Sequence, residues 1–405
     1  MNIADSSSFR PDPFVLKSSD SPAIDALFSS PAYSRSDIES KKAEERLSNQ
    51  LFVDAMAESY SYHLAHCKEY CMLANADKNM PAVIESLSDV ERIPWVFVQS
   101  FKERELLSIH RQEVQIALTS SGTSGVLTKT FLDSTSLNRL QVAGYQVCRD
   151  MGVVGPEAPV SNYMMFTYDI EDAPQLGTAW TTNYLSEMVP ASSRKFLIRQ
   201  RASRDGMEFD IEDALSIYLN FVESGLPLRI LGFPAFIYHT FFEATQRRLP
   251  TLSNAAAEKS WVLTGGGWKS HKGESIGKRA FAKLVGAATH IPINQVRDLF
   301  GMAEHGIGYA DCEYGNLHVP RYAHAVTRDP MTLEIQGYDS PGILQLFTPL
   351  LKSSPALSLL TTDEVILRSE SCLCGRSGVR LEYLGRLGLK KHDGCAIRSL
   401  DYLTI

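Results

Sequence analysis

The chain has 405 residues, of which 44% are hydrophobic and 21% charged, with a formal net charge of -7 and a pI of about 5.8. This is a globular balance with apolar material for a large core, and its acidity excludes a protein that grips nucleic-acid phosphates through clustered cations. The most apolar stretch, residues 230–242, is interrupted by Gly232, Pro234 and His239 and is too short to span a bilayer.

The opening MNIADSSSFRPDPF lacks the basic and apolar regions of a signal peptide, so a cytoplasmic location is expected. Residues 1–35, rich in Ser, Asp and Pro, read as a mobile lead-in. From residue 36 the pattern is helical: Leu47, Leu51, Ala55 and Met56 recur at three-to-four spacing, and the helix is expected to run towards Cys71. Cys67 and Cys71, with His63 and His66 nearby, have a spacing that can bind metal, although a helix face packing its cysteines explains them better. An odd total of seven cysteines without a secretory signal argues against a disulfide framework.

EVQIALTSSGTSG reads as a strand over residues 114–118 entering a Ser/Thr/Gly loop. Asp133 or Ser134 then caps a helix carrying Leu137, Leu140, Cys148 and Met151. LRILG, residues 228–232, is a buried strand leading through Phe233 and Pro234 into a helix with Ile237, Phe241 and Phe242. WVLTGGGWK repeats the scheme, with a strand over 261–263 ending in glycines. Strands alternating with helices indicate an α/β fold, whose ligands sit beyond the carboxyl ends of the strands. Near residue 375 the composition turns basic and glycine-rich, which marks a boundary.

The segment TSSGTSG, residues 119–125, is the most informative. Gly122 and Gly125 let the backbone turn and expose N–H groups. Hydroxyls on Thr119, Ser120, Ser121, Thr123 and Ser124 can donate to phosphate oxygens, and Lys129 supplies a cation. The G-K-[ST] ending of a Walker loop is absent.

In form and context this loop resembles the phosphate loop of adenylate-forming enzymes, and further motifs follow in the order of that superfamily. TGGGWKS resembles the turn on which adenine packs, through Gly265, Gly266, Gly267 and Trp268, with Lys269 joining Lys129 as a candidate catalytic cation. LFGMAEHG resembles the motif whose carboxylate, here Glu304, holds Mg2+ near the phosphates. TTDEV resembles the segment whose aspartate, here Asp363, binds ribose, and LGR, ending in Arg386, resembles the hinge after it.

Within the superfamily the chain is similar to the acyl-protein synthetases, the long-chain-fatty-acid–protein ligases of bacterial bioluminescence. The likeness covers residues 36–405 and includes the FK of FVQSFKERELL, LRILGFPAFIYH, QVRDLF, HVPRYAHAVTRDPMTLE and the terminal GCAIRSL. By motif the family's acyl-accepting cysteine maps onto Cys395, beside Lys390, Lys391, His392 and Arg398, cations that favour a thiolate nucleophile. The resemblance implies ATP and Mg2+, a carboxylic acid substrate, an acyl-adenylate, a thioester on Cys395 and an acyl reductase as protein partner. It divides the chain into the lead-in (1–35), an adenylate-forming domain (36–375) and a short hinge and tail (376–405).

SCLCGRSG departs from the bioluminescence enzymes and resembles phenylacetate–CoA ligases, some of which hold Zn2+ there. With DCEYGNLH it offers Cys312, His318, Cys372 and Cys374 as a closed tetrahedral set, with His324 as a competing ligand. An acyl- or aryl-CoA ligase is therefore the alternative enzyme, although only residues 387–405 follow the hinge. A non-catalytic nucleotide-binding scaffold is the alternative outside enzymes. Phe233, Phe236, Tyr238 and Trp268 are candidate walls of the acyl pocket, equally explicable as core.

Overall fold

Alternating apolar runs and amphipathic helices build a parallel sheet. The computed structural model describes residues 14–35, 38–119, 128–154, 158–200, 207–267 and 276–387. Within these, Val296–Phe300, Trp261–Gly265, Leu228–Gly232, Ser161–Tyr168 and Ala191–Gln200 lie side by side in parallel. Tyr309–Ala310 and Met207–Phe209 add antiparallel edges. Ser161–Tyr168 is buried at all 8 positions, as a central parallel strand covered on both faces must be.

One face is covered by the helices Ile211–Glu223, Pro234–Gln246 and Lys278–Thr289, whose Tyr218, Phe236, Phe241 and Val285 pack with Phe166, Ile230 and Val262. On the other side Val147, Cys148 and Tyr184, from the helices Ser134–Asp150 and Gly177–Glu187, pack with Tyr163, Met165, Leu231 and Leu263. Asp133 is the cap of Ser134–Asp150, its carboxylate accepting from the N–H groups of Thr135 and Ser136, each at 3.2 Å. The strand before the loop is Ile116–Thr119, which starts two residues later and ends one later than expected, and pairs with Lys129–Leu132 in register Thr119↔Lys129.

A second sheet is mainly antiparallel, in the order Leu317–His318, Arg380–Arg386, Ser358–Arg368, Pro341–Phe347, His324–Arg328 and Ile335–Gln336. Val96–Phe97 joins it parallel to Ser358–Arg368. Arg380–Arg386, beyond the boundary expected at residue 375, pairs along its length with Ser358–Arg368.

Of the lead-in expected over residues 1–35, residues 1–13 lie outside the described residues. Pro22–Phe28 is a helix that buries Ile24, Leu27 and Phe28. Ahead of it, the Lys17 N–H donates to Asn138 Oδ1 (2.8 Å) and Asn138 Nδ2 donates to the Val15 carbonyl (3.1 Å). Buried Arg139 reaches Ser19 Oγ at 3.0 Å. Residues 15–19 are thus held to the helix Ser134–Asp150.

The long helix is Ile38–His66, and Leu47 is exposed on it while Phe52, Val53, Met56, Tyr60 and His63 are buried. At Cys67 the chain leaves helical geometry (φ -113°, ψ 103°), and a second helix, Lys68–Ala76, follows.

Candidate active site

A cleft of about 310 Å³ opens at the carboxyl ends of the parallel strands, where α/β folds place ligands. Thr167, Gly232, Gly265 and Gly266 line it from strand ends, and residues 301–304 line it from the loop after Val296–Phe300. The second sheet contributes Thr362, Asp363 and Arg386. Thr119 and Thr128 also face it, so the ends of the loop between the paired strands meet at its mouth.

Glu304 is buried, and that burial raises its carboxyl above the ordinary value, while the Thr128 hydroxyl, Arg386 and Lys102 oppose the rise. Asp363 is 1% exposed and accepts from Arg386 Nε at 2.8 Å, because the two face each other across the strand pair in register. Thr119 is tied down by its N–H and hydroxyl, both donating to the Gln175 carbonyl, at 2.7 and 3.1 Å.

The cleft therefore gathers Thr119, Gly265, Gly266, Glu304, Asp363 and Arg386 from the expected set. Gly267 ends the described turn and is not among the lining residues. Lys129 is also outside the lining; its exposed ammonium lies 3.8 Å from Glu105. Ser120, Ser121, Gly122, Thr123, Ser124, Gly125, Trp268, Lys269 and Cys395 lie outside the described residues. Lys102, the lysine of the FK in FVQSFKERELL, is a further cation of the cleft, and its role there depends on the tertiary fold.

Behind this polar mouth the cleft is apolar. Leu118, Leu140, Val147, Trp180, Tyr184 and Leu231 are among its walls. Of the expected wall residues Trp268 lies outside the described residues, and among the other three Phe233 lines it. Phe236 is buried against Phe209 instead, and Tyr238 stacks on Phe242. The helix carrying Leu140 and Cys148 was legible, but these positions read equally well as core, and Gly144 and Val147 carried no separate signal.

The cysteine–histidine set does assemble. The ligand atoms of Cys312, His318, Cys372 and Cys374 all lie within 4.8 Å of one another, with Cys312 Sγ 3.7 Å from Cys372 Sγ and Cys374 Sγ 3.4 Å from His318 Nε2. They meet because Leu317–His318 pairs with Arg380–Arg386, which brings the turn at 372–375 over the 312–318 hairpin. Burial lowers His318 to about 4, leaving a neutral imidazole, and raises Cys312 to about 12. Burial also works against the Cys372 thiolate, yet hydrogen bonds from Cys374, Cys312 and Asn316 hold this thiol below its ordinary value.

His324 is not part of the set, because its Nε2 meets Glu91 Oε1 at 2.9 Å. The Cys67/Cys71 pair forms no such cluster among the described residues. His63 is committed to Ser108 Oγ (2.7 Å) and the Leu351 carbonyl (3.0 Å), and His66 to the Tyr62 carbonyl.

The family model described as Acyl-protein synthetase, LuxE, matches residues 17–404. The chain belongs to this family. It is a ligase, as are the curated relatives it resembles. The long-chain-fatty-acid–luciferin-component ligase of Aliivibrio fischeri is 23% identical over 350 residues, 85% of this chain and 87% of the relative. That of Vibrio harveyi is 26% identical over 359 residues, 85% and 86% respectively. Among solved structures, an open conformation of 2-hydroxyisobutyryl-CoA ligase in complex with 2-HIB-AMP and CoA superposes with a TM-score of 0.65 at 16% identity, covering 85% of this chain and 76% of that one. The α/β fold of this acyl-protein synthetase family member is thus that of the adenylate-forming ligases, as expected from the motifs. No helix among the described residues is long and apolar enough to cross a membrane.

Proposed function

We propose that the protein activates a fatty acid with ATP as the acyl-adenylate and then takes the acyl group onto Cys395 as a thioester. The observation that carries this is one cleft with two characters. Its mouth holds Lys102, Glu304, Asp363 and Arg386 beside a glycine turn, and its interior is an apolar slot. In the first step a carboxylate oxygen of the acid attacks the α-phosphorus of ATP, and the bond to the bridging oxygen breaks to release pyrophosphate. The loop between Thr119 and Thr128 is the donor set for the phosphate charge, and the cations Lys102 and Arg386 support it. Gly265 and Gly266 offer the surface for adenine, and Asp363 the acceptor for ribose hydroxyls.

Glu304 and the Thr128 hydroxyl beside it are hard oxygen donors that fit Mg2+. Bound there, Mg2+ would neutralise phosphate charge. In the second step the Cys395 thiolate attacks the acyl carbonyl, the thioester forms and AMP leaves with the electron pair of the anhydride bond. A partner acyl reductase would then receive the acyl group.

The set Cys312, His318, Cys372 and Cys374 fits structural Zn2+: three thiols and a neutral imidazole, within reach of one ion. Zinc there would lock the 312–318 hairpin to the strand that carries Arg386.

The test is intact-protein mass spectrometry after incubation with Mg2+-ATP and mixed fatty and aryl acids, beside Cys395→Ala. A gain of one acyl group, removed by neutral hydroxylamine and absent from the variant, is expected. AMP release only on addition of CoA, with no adduct, would overturn the Cys395 step in favour of a CoA ligase. No acid-dependent ATP–pyrophosphate exchange at all would favour a nucleotide-binding scaffold.

A further inference from the structure

The apolar slot follows one stripe of the helix Ser134–Asp150. Leu140, Gly144, Val147 and Cys148 face it at spacings of four, seven and eight. Leu140 marks the mouth end, because a Cβ on Gly306, two residues past Glu304, would sit 3.7 Å from Leu140 Cδ1. At 1.5 Å per residue the stripe from Leu140 to Cys148 runs about 12 Å, and Gly144 stands about half-way along it.

Tyr184, from the facing helix Gly177–Glu187, lies across the slot at Gly144. A Cβ on Gly144 would be 2.9 Å from the Tyr184 hydroxyl and 3.1 Å from Cε1, so only glycine lets the ring rest there. The ring is fixed rather than free. Its hydroxyl donates to the Gln141 carbonyl. Trp180 stacks beside it with centroids 5.7 Å apart and planes at 10°. Phe14 packs on it at 5.8 Å and is itself stacked on Tyr145 at 4.6 Å. Phe14 opens the segment held by the Asn138 and Arg139 contacts, so the N-terminal strap backs this ring.

We propose that Tyr184, seated on Gly144 and backed by Trp180 and Phe14, sets the length of the acid this protein accepts. This rests on the acid-activation reading above. The tail of the acid runs along the helix stripe and meets the ring one turn in from Leu140. Beyond the ring, Val147 and Cys148 line a further stretch of about 6 Å. An extended alkyl chain zig-zags and advances about 1.25 Å per methylene, so that stretch takes about five methylenes.

The experiment compares wild type with Tyr184→Leu, Tyr184→Phe and Gly144→Ala in acid-dependent ATP–pyrophosphate exchange, using straight-chain acids from hexanoate to hexadecanoate. Urea unfolding verifies that each variant is folded. Tyr184→Leu is expected to move the optimum to longer acids by about five carbons, and Tyr184→Phe to leave it in place. Gly144→Ala pushes the ring into the slot and should lower kcat/KM for the longest accepted acid about tenfold or more, with the KM for ATP unchanged. An unchanged length profile in folded Tyr184→Leu and Gly144→Ala would overturn the proposal. Displacement of a dansylated fatty acid by the same acids is the second measurement. Should wild type show no exchange, the activation reading fails, and the binding profile of the variants still decides the role of Tyr184.

Discussion

Gly232 ends the central strand Leu228–Gly232 at the rim of the cleft, and replacing it by Ala tests how that rim is built. Its φ is +126°, a region L-residues avoid, and a Cβ there would lie 2.3 Å from the Phe166 carbonyl oxygen and 2.6 Å from its carbon. The neighbour cannot retreat easily. Phe166 is a fully buried residue of the adjacent strand, in register with Gly232, and its oxygen accepts from the Phe233 N–H at 3.0 Å. Backbone strain of about 1–3 kcal/mol adds to about 1 kcal/mol for the hydrogen bond, so Gly232→Ala should cost about 3 kcal/mol. Gly152→Ala is the control, because its φ is also positive (75°) but nothing lies within 4 Å of a Cβ. It should cost only about 1–2 kcal/mol, from the left-handed backbone alone. Urea unfolding of both variants measures the difference. Exchange activity should also fall in Gly232→Ala, since Phe233 lines the cleft. Equal costs for the two variants, within about 0.5 kcal/mol, would refute the contact as the source of the penalty.

Glu304→Gln should abolish most acid-dependent exchange, by about a hundredfold or more, while leaving stability equal or slightly higher, because the buried carboxylate pays desolvation. Full exchange activity in this variant would remove Glu304 from the phosphate site. Elemental analysis of the full chain should find about one zinc per molecule, lost with Cys374→Ser together with a fall in Tm; metal-free protein of unchanged Tm after zinc-replete expression would contradict the closed site. His63 and His305 are fully buried, and burial lowers each to about 3 from 6.5. The folded state then binds fewer protons than the unfolded one, so stability is flat above pH 6.5 and declines as the pH falls towards 3. By pH 5 each contributes a loss of at most about 2 kcal/mol, and His63→Gln should flatten the urea midpoint against pH between 7 and 5.

The local parts of this protein were legible in its sequence because they depend on neighbours in the chain. Asp133 caps the Ser134–Asp150 helix through groups two and three residues away, and LRILG is a strand because Leu228, Ile230 and Leu231 bear the burial signal themselves. The cysteine–histidine set was also readable, since thiols and an imidazole in two short motifs have few other reasons to be there. What the residues facing one another would be was not. Leu47 has the same apolar side chain as its periodic partners, and only the packing of the long helix leaves it in solvent. Lys102 faces the cleft and Lys129 does not, because strand register turns Lys129 towards Glu105. The place of residues 376–387 came from pairing with a strand that ends some twelve residues earlier, a contact that no composition shift encodes. Nothing around Gly144 in the chain marks it out, because the ring it makes room for, Tyr184, stands forty residues on. Side-chain chemistry and short-range backbone preference are written along the chain; which surfaces meet is decided by the sum of burial over the whole fold, and that sum exists only in three dimensions.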